Sequence, residues 1–246
     1  MDYDALEDRY AQTHFGRMHY KYHKGTGKSI VFLHGLGAST RAWTRLVKAL
    51  PDNLDIYLVD LLGHGKSDKP HIDYHIDVQV QFLHDFITAA GIKDPYLFGN
   101  SYGGWVAAVY AARYGSISGL ILEDPAGIRE YFKDIIDSGN DSDYKKDLLE
   151  RLLEVNGNDR YVMESILNAD METLGWLDAG ILSKITCKSL IIWGSADKVI
   201  DVHYSSVLKE NIKGSVLEII DGAGHEPHYT NPDEVAKIIA SFIAHT

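Results

Sequence analysis

Cysteine is nearly absent. The one thiol, Cys187, cannot close an internal disulfide, and standing just before an apolar run it reads as a small buried group rather than a nucleophile. Basic residues are scarce beside acidic ones, 24 against 35 for a formal charge of −11, and they cluster nowhere. Phosphate binding needs clustered Lys and Arg, so a nucleic-acid partner is excluded. Long apolar runs are missing as well: stretches such as Trp105 to Ala112 fall well short of the roughly 18 residues that cross a bilayer, and no membrane span or membrane partner is expected. The opening MDYDALEDRY lacks the basic and then apolar segments of a secretory leader, which makes a cytoplasmic location the expectation. Repeats and low-complexity tracts are not found.

What is present is a chain of 246 residues with 45% hydrophobic content, enough for a sizeable packed core. Residues Tyr10 to Phe15 and Arg17 to His23 alternate around Gly16 and predict an antiparallel hairpin at a sheet edge. From there the pattern changes to short, continuous apolar runs at Ile30 to Leu33, Leu54 to Val59, Tyr96 to Phe98, Leu120 to Leu122, Leu190 to Trp193 and Val216 to Ile220. Runs apolar at successive positions predict strands covered on both faces, the mark of a parallel sheet. Helical spacing separates them at Thr40 to Leu50, Asp77 to Ala90, Tyr102 to Tyr114, Val202 to Asn211 and Pro232 to Ala244. This alternation predicts an α/β fold with a doubly wound, mostly parallel sheet and right-handed crossovers. The stretch from Pro125 to Lys188 holds no good strand but has helical spacing at Lys145 to Val155 and Tyr161 to Leu167. The expected organisation is therefore a core of residues 1–124 and 189–246 with a helical cap inserted at 125–188.

The chemistry centres on Gly99-Asn100-Ser101-Tyr102-Gly103, directly after one apolar run and directly before a helix. A serine on so sharp a strand-to-helix turn is forced into strained backbone with its hydroxyl exposed, while the flanking glycines remove side chains that would collide. The free N–H of Tyr102 at the helix start is a natural oxyanion donor, and the N–H of Leu36 in His34-Gly35-Leu36-Gly37 is a second. Here His34 is expected to support its loop. An ordinary hydroxyl needs a base, and among twelve histidines His225 stands out because it follows the last apolar run through Asp221-Gly222-Ala223-Gly224. That loop falls on the same sheet edge as Ser101. His228 is the reserve. For the acid that orients the imidazole, Asp197 in WGSAD is favoured, with Asp124 in Glu123-Asp124-Pro125 as its rival. His71 and His75 lack a third ligand in a loop containing Pro70, so no metal site is expected.

HGLG, the stretch DLLGHGKSD from Asp60 to Asp68, GNSYGG, WGSADKVI and GAGHEP together resemble the α/β-hydrolase superfamily over nearly the whole chain outside the cap. Within it the chain is similar to the compact esterase, carbon–carbon bond hydrolase and proline-iminopeptidase-related group. The resemblance implies a cofactor-free serine hydrolase with the triad Ser101, Asp197 and His225 and an oxyanion hole of Leu36 and Tyr102. Serine rather than aspartate at the elbow disfavours haloalkane dehalogenase and ordinary epoxide hydrolase chemistry. A small carboxylic ester is the expected substrate, with Trp176, Leu149 and Leu153 of the cap shaping the acyl pocket. Glu150, Glu154, Glu164 and Glu172 would have to face the pocket for an aminopeptidase, and Arg129 is a candidate for binding the carboxylate of a carbon–carbon hydrolase substrate. A receptor that captures a small molecule in the same pocket is the reading outside enzymology.

Overall fold

The computed structural model of the chain describes residues 1–139, 141–154, 157–168 and 175–245. Eight strands form one sheet: β1 (Glu7–Thr13), β2 (Gly16–His23), β3 (Ser29–Leu33), β4 (Asp55–Val59), β5 (Tyr96–Asn100), β6 (Gly119–Glu123), β7 (Ser189–Gly194) and β8 (Val216–Ile220), in the order β1-β2-β4-β3-β5-β6-β7-β8. Only β2 runs against its neighbours, pairing antiparallel with both β1 and β4, and every other pairing is parallel. The hairpin therefore lies at an edge, as its alternation predicts, with β2 one strand further in and joined to the parallel sheet.

The continuous apolar runs have a simple cause. Val31 and Leu33 of β3, Leu120 and Leu122 of β6 and Ile191 and Trp193 of β7 pack into one core layer. Their neighbours Ile30, Phe32, Ile121, Leu190 and Ile192 pack into a second layer on the opposite face. Side chains alternate with period two, and a strand buried on both faces must be apolar at every position. The strand β8 departs from this expectation. It has a neighbour only in β7, and Val216 and Ile219 are exposed, so its apolar run clothes an edge rather than a centre.

Helices α1 (Thr44–Ala49) and α10 (Pro232–Ala244) pack together on one face, and α2 (Ile76–Ala89) and α3 (Tyr102–Tyr114) on the other. Two of the expected helices are split: a 3-10 turn at Thr40–Trp43 precedes α1, and another at Val202–Tyr204 precedes α8 (Ser205–Asn211). Between β6 and β7 the described residues form α4 (Arg129–Asp137), α5 (Asp141–Glu154), α6 (Arg160–Leu167) and α7 (Ala179–Leu182). The short α9 (Pro227–Thr230) follows the β8 loop. No helix among the described residues is long and apolar enough to cross a membrane.

Candidate active site

Five adjacent parallel strands, β3, β5, β6, β7 and β8, end on one sheet edge, and each is followed by a residue singled out above: Leu36, Ser101, Asp124, Asp197 and His225. Parallel order alone brings these loops together.

Ser101 caps the N-terminus of α3 with φ 51° and ψ −117°, left-handed backbone that a side chain rarely adopts and that costs about 1–3 kcal/mol. Three hydrogen bonds hold it there. Its N–H donates to the Glu123 carbonyl at 3.0 Å, and its carbonyl accepts from Trp105 N–H at 3.1 Å and Ala126 N–H at 2.9 Å. The need for glycine on either side is steric: a β-carbon on Gly99 would stand 2.3 Å from the Gly103 carbonyl oxygen, and one on Gly103 would stand 2.1 Å from that of Leu33. Ser101 and His225 line one cavity of about 230 Å³ together with Leu36 and Tyr102. Tyr102 is the first residue of its helix, so its N–H precedes the intrahelical ladder.

His225 donates from Nδ1 to Asp197 Oδ2 at 2.7 Å, which fixes the tautomer that leaves Nε2 unprotonated. The other oxygen of Asp197 accepts from the Val199 and Ile200 amides at 2.7 and 3.1 Å. Burial pushes this carboxyl up, but the His225 contact and the two amides outweigh it and hold the group below the ordinary carboxylate value.

Asp124 lies in the same cluster with different partners. Its Oδ1 accepts from Gly194 N–H at 3.0 Å, and its Oδ2 is buried without a hydrogen-bond partner. One donor atom each from Asp124, Asp197 and His225 fall within 4.8 Å of one another, the only such grouping among the described residues. Asp197 and His225 are already joined to each other by the Nδ1 contact. His71 stacks on Tyr161 and His75 precedes α2, so neither belongs to this cluster.

The reserve histidine has another partner. His228 is buried, its backbone N–H donates to Glu123 Oε1 at 2.9 Å, and its Nδ1 contacts Glu123 Oε2. Asn100 links this pair to the site by donating to Glu123 Oε2 and to the His225 carbonyl, each at 3.1 Å. Sequence reasoning passes over Glu123, although a carboxyl closing the run Leu120-Ile121-Leu122 was the available signal. His34 supports its loop as expected: Nδ1 donates to the Gly35 carbonyl at 2.8 Å and Nε2 accepts from Leu61 N–H at 3.1 Å. Burial holds it below the ordinary histidine value.

Between β6 and β7, Trp176 lines the cavity and stacks on Trp105 with ring centroids 5.0 Å apart, while Phe132 packs on the Trp176 ring at 4.5 Å. Leu149 and Leu153 do not line it. The cavity wall is formed by Leu148 and Leu152, one position earlier on α5, and the expected pair packs against the surrounding core. In LLERLL both pairs have the same i,i+4 spacing, and only the seating of α5 decides which stripe faces inward. Asn158 contributes to that seating by donating to the Gly37 and Leu152 carbonyls at 2.9 and 2.7 Å. Glu150, Glu154 and Glu164 do not line the cavity, and Glu164 pairs with Arg160 at 3.1 Å. Glu172 lies outside the described residues. Arg129 is exposed, 3.5 Å from Asp178 and away from the cavity. The charged lining residues are Lys145 and Glu226, alongside Asn100, Tyr131 and Tyr144.

A family model described as the alpha/beta hydrolase family matches residues 30–238. A monoacylglycerol lipase of Xenopus laevis, abhd6-B, is 30% identical over 267 residues, covering 89% of this chain and 76% of its own length. The Homo sapiens monoacylglycerol lipase ABHD6 is 29% identical with the same coverage. Among solved structures, a membrane phospholipase A superposes with a TM-score of 0.80 at 27% identity, covering 98% of this chain and 86% of its own. A serine hydrolase involved in carbazole degradation, CarC, shares the fold with a TM-score of 0.80 at 22% identity, covering 98% of this chain and all of its own. The chain thus belongs to the alpha/beta hydrolase family and is a hydrolase.

Proposed function

We propose that this hydrolase is a serine carboxylesterase that cleaves a small carboxylic ester through an acyl-enzyme, with monoacylglycerols as the natural class to test first. Ser101 Oγ attacks the ester carbonyl carbon while His225 Nε2 takes its proton, and Asp197 stabilises the imidazolium without accepting that proton. Charge on the former carbonyl oxygen is met by the Leu36 and Tyr102 amides, each worth roughly 3 kcal/mol by analogy with other oxyanion donors. His225 then returns the proton to the departing alkoxide. Water attacks the acyl carbon through the same base, the Ser101 ester bond breaks, and the acid leaves. In this reading α4–α7 act as the cap that covers the acyl group.

The observation that carries the proposal is the strained Ser101 facing the same cavity as a histidine whose Nδ1 is held by a buried carboxylate. The similarity to monoacylglycerol lipases supports an ester over an amide or a carbon–carbon bond. The cavity lining includes Trp105, Phe132, Leu148, Leu152 and Trp176, which suits an acyl chain better than a charged group. The test sets p-nitrophenyl esters of graded chain length, a monoacylglycerol, amino-acid arylamides and a dienone acid side by side. Ester turnover at least tenfold above the other classes is expected. Faster turnover of the arylamides or of the dienone acid would assign the chain to the peptidase or carbon–carbon hydrolase group, and binding without multiple turnover would make it a receptor.

A further inference from the structure

The carboxyl of Asp124 has no role in the reaction described above, yet it occupies the core of the site. It is fully buried at the end of β6, in left-handed backbone with φ 42°, and one of its oxygens has no donor to accept from. The groups that face it are Glu123 from its own strand end, the Gly194 amide from the end of β7, Asp197 from the loop after β7, and His225 from the loop after β8. His228 and Asn100 face Glu123, and Tyr131 faces Asp197. A second anion here would lie in a dry cluster against two other carboxyls with a single N–H for support. Such an arrangement is relieved when one carboxyl keeps its proton.

We propose that Asp124 is a neutral carboxylic acid whose O–H donates to the Asp197 carboxylate, and that it acts through Asp197 as a positioning residue for His225. The proton gives the partnerless Oδ2 a hydrogen bond to make, with the Asp197 carboxylate of the same cluster as its acceptor. Burial, together with the Glu123 and Asp197 charges and against the pull of the Gly194 amide, moves Asp124 up to about 10. The shared hydrogen bond has two effects. It fixes the Asp197 carboxylate opposite Nδ1 of His225, and it draws off part of the negative charge that would otherwise hold a proton on the imidazole. The base then stays neutral to lower pH. The second effect rests on the triad reading above, whereas the protonation state does not.

Two measurements on the intact protein test this. Infrared spectra at pH 7.5 should contain the C=O stretch of a protonated buried carboxylic acid that is lost in Asp124→Asn, and the band should persist in Ser101→Ala; its absence from the wild type overturns the proposal. The rate of fluorophosphonate labelling of Ser101 against pH reads the His225 base without any knowledge of the substrate. Asn keeps the donor to Asp197 and the zero charge, so Asp124→Asn should leave the acidic limb within about 0.3 pH units of wild type. Asp124→Ala removes the donor and should raise that limb by half a unit or more, with labelling at pH 6 slowed about threefold or more. A fall of the acidic limb in Asp124→Asn would mean that an anion had been removed, and it would sink the proposal. Failure of the wild type to label at Ser101 at all would instead defeat the triad reading, leaving the infrared result to decide the state of Asp124.

Discussion

Two aspartates in one cluster are pushed in opposite directions: burial and the Glu123 charge raise Asp124, while the His225 contact and two amides outweigh burial at Asp197. Asp197 accepts three and is held low, whereas Asp124 accepts one and is pushed up to about 10. Their effects on stability therefore run in opposite directions with pH. Asp197, depressed in the fold, stabilises above its unfolded value near 3.9, and that contribution is lost as pH falls through its folded value. Asp124 keeps in the fold a proton that the unfolded chain releases above about 4, so stability declines as pH rises from there toward 10. Replacing Asp124 with Asn should accordingly raise the melting temperature more at pH 8.5 than at pH 5, and a constant offset at both would contradict this. Asp197→Asn should keep the fold and lower kcat by about 10²- to 10⁴-fold, because an amide can hold the imidazole in the wrong tautomer. Ser101 offers a third check. Ser101→Gly relieves left-handed strain of about 1 kcal/mol or more and should raise the melting temperature by roughly 2–4 °C while abolishing turnover.

At the level of elements, the helix over Tyr102 to Tyr114 and the strand ends were legible because the decisive residues sit on turns where sterics leave little choice. Gly103 is the clearest instance: α3 crosses β3 so closely that even a methyl group meets the Leu33 carbonyl. What sequence could not show was which of two equally spaced leucine stripes on α5 faces the cavity. That choice is made by packing against a residue distant in the chain, Gly37, to which Asn158 ties the end of α5. A chain-length panel tests the observed seating. Leu148→Ala and Leu152→Ala enlarge the cavity and should shift preference toward longer acyl chains by at least threefold, whereas Leu149→Ala and Leu153→Ala should leave the optimum where it was. The exposed face of β8 escaped notice for a similar reason, since Val-Leu-Glu-Ile-Ile reads alike at a sheet centre or at its edge. The Glu123–His228 pair went unread because a carboxyl and an imidazole 105 residues apart leave no local pattern.

For the whole molecule, parallel strand order is the physical source of function. It delivers five loops from distant parts of the chain to one edge, where short-range sterics and hydrogen bonds then set each side chain. That is why the Ser, Asp, His order could be read from sequence while the cavity above it could not. Asp124 shows the limit of such reading, since its strand-end position qualified it equally, whereas the carboxylate that meets His225 Nδ1 is that of Asp197. The central claim is that Ser101 forms the acyl-enzyme, and intact-mass analysis after fluorophosphonate treatment, followed by peptide mapping, tests it most directly. One probe per chain on the peptide containing Ser101 is predicted for the wild type and none for Ser101→Ala, whose ester turnover should fall by about 10³-fold or more. Label on another residue, or near-normal turnover by Ser101→Ala, would contradict the account.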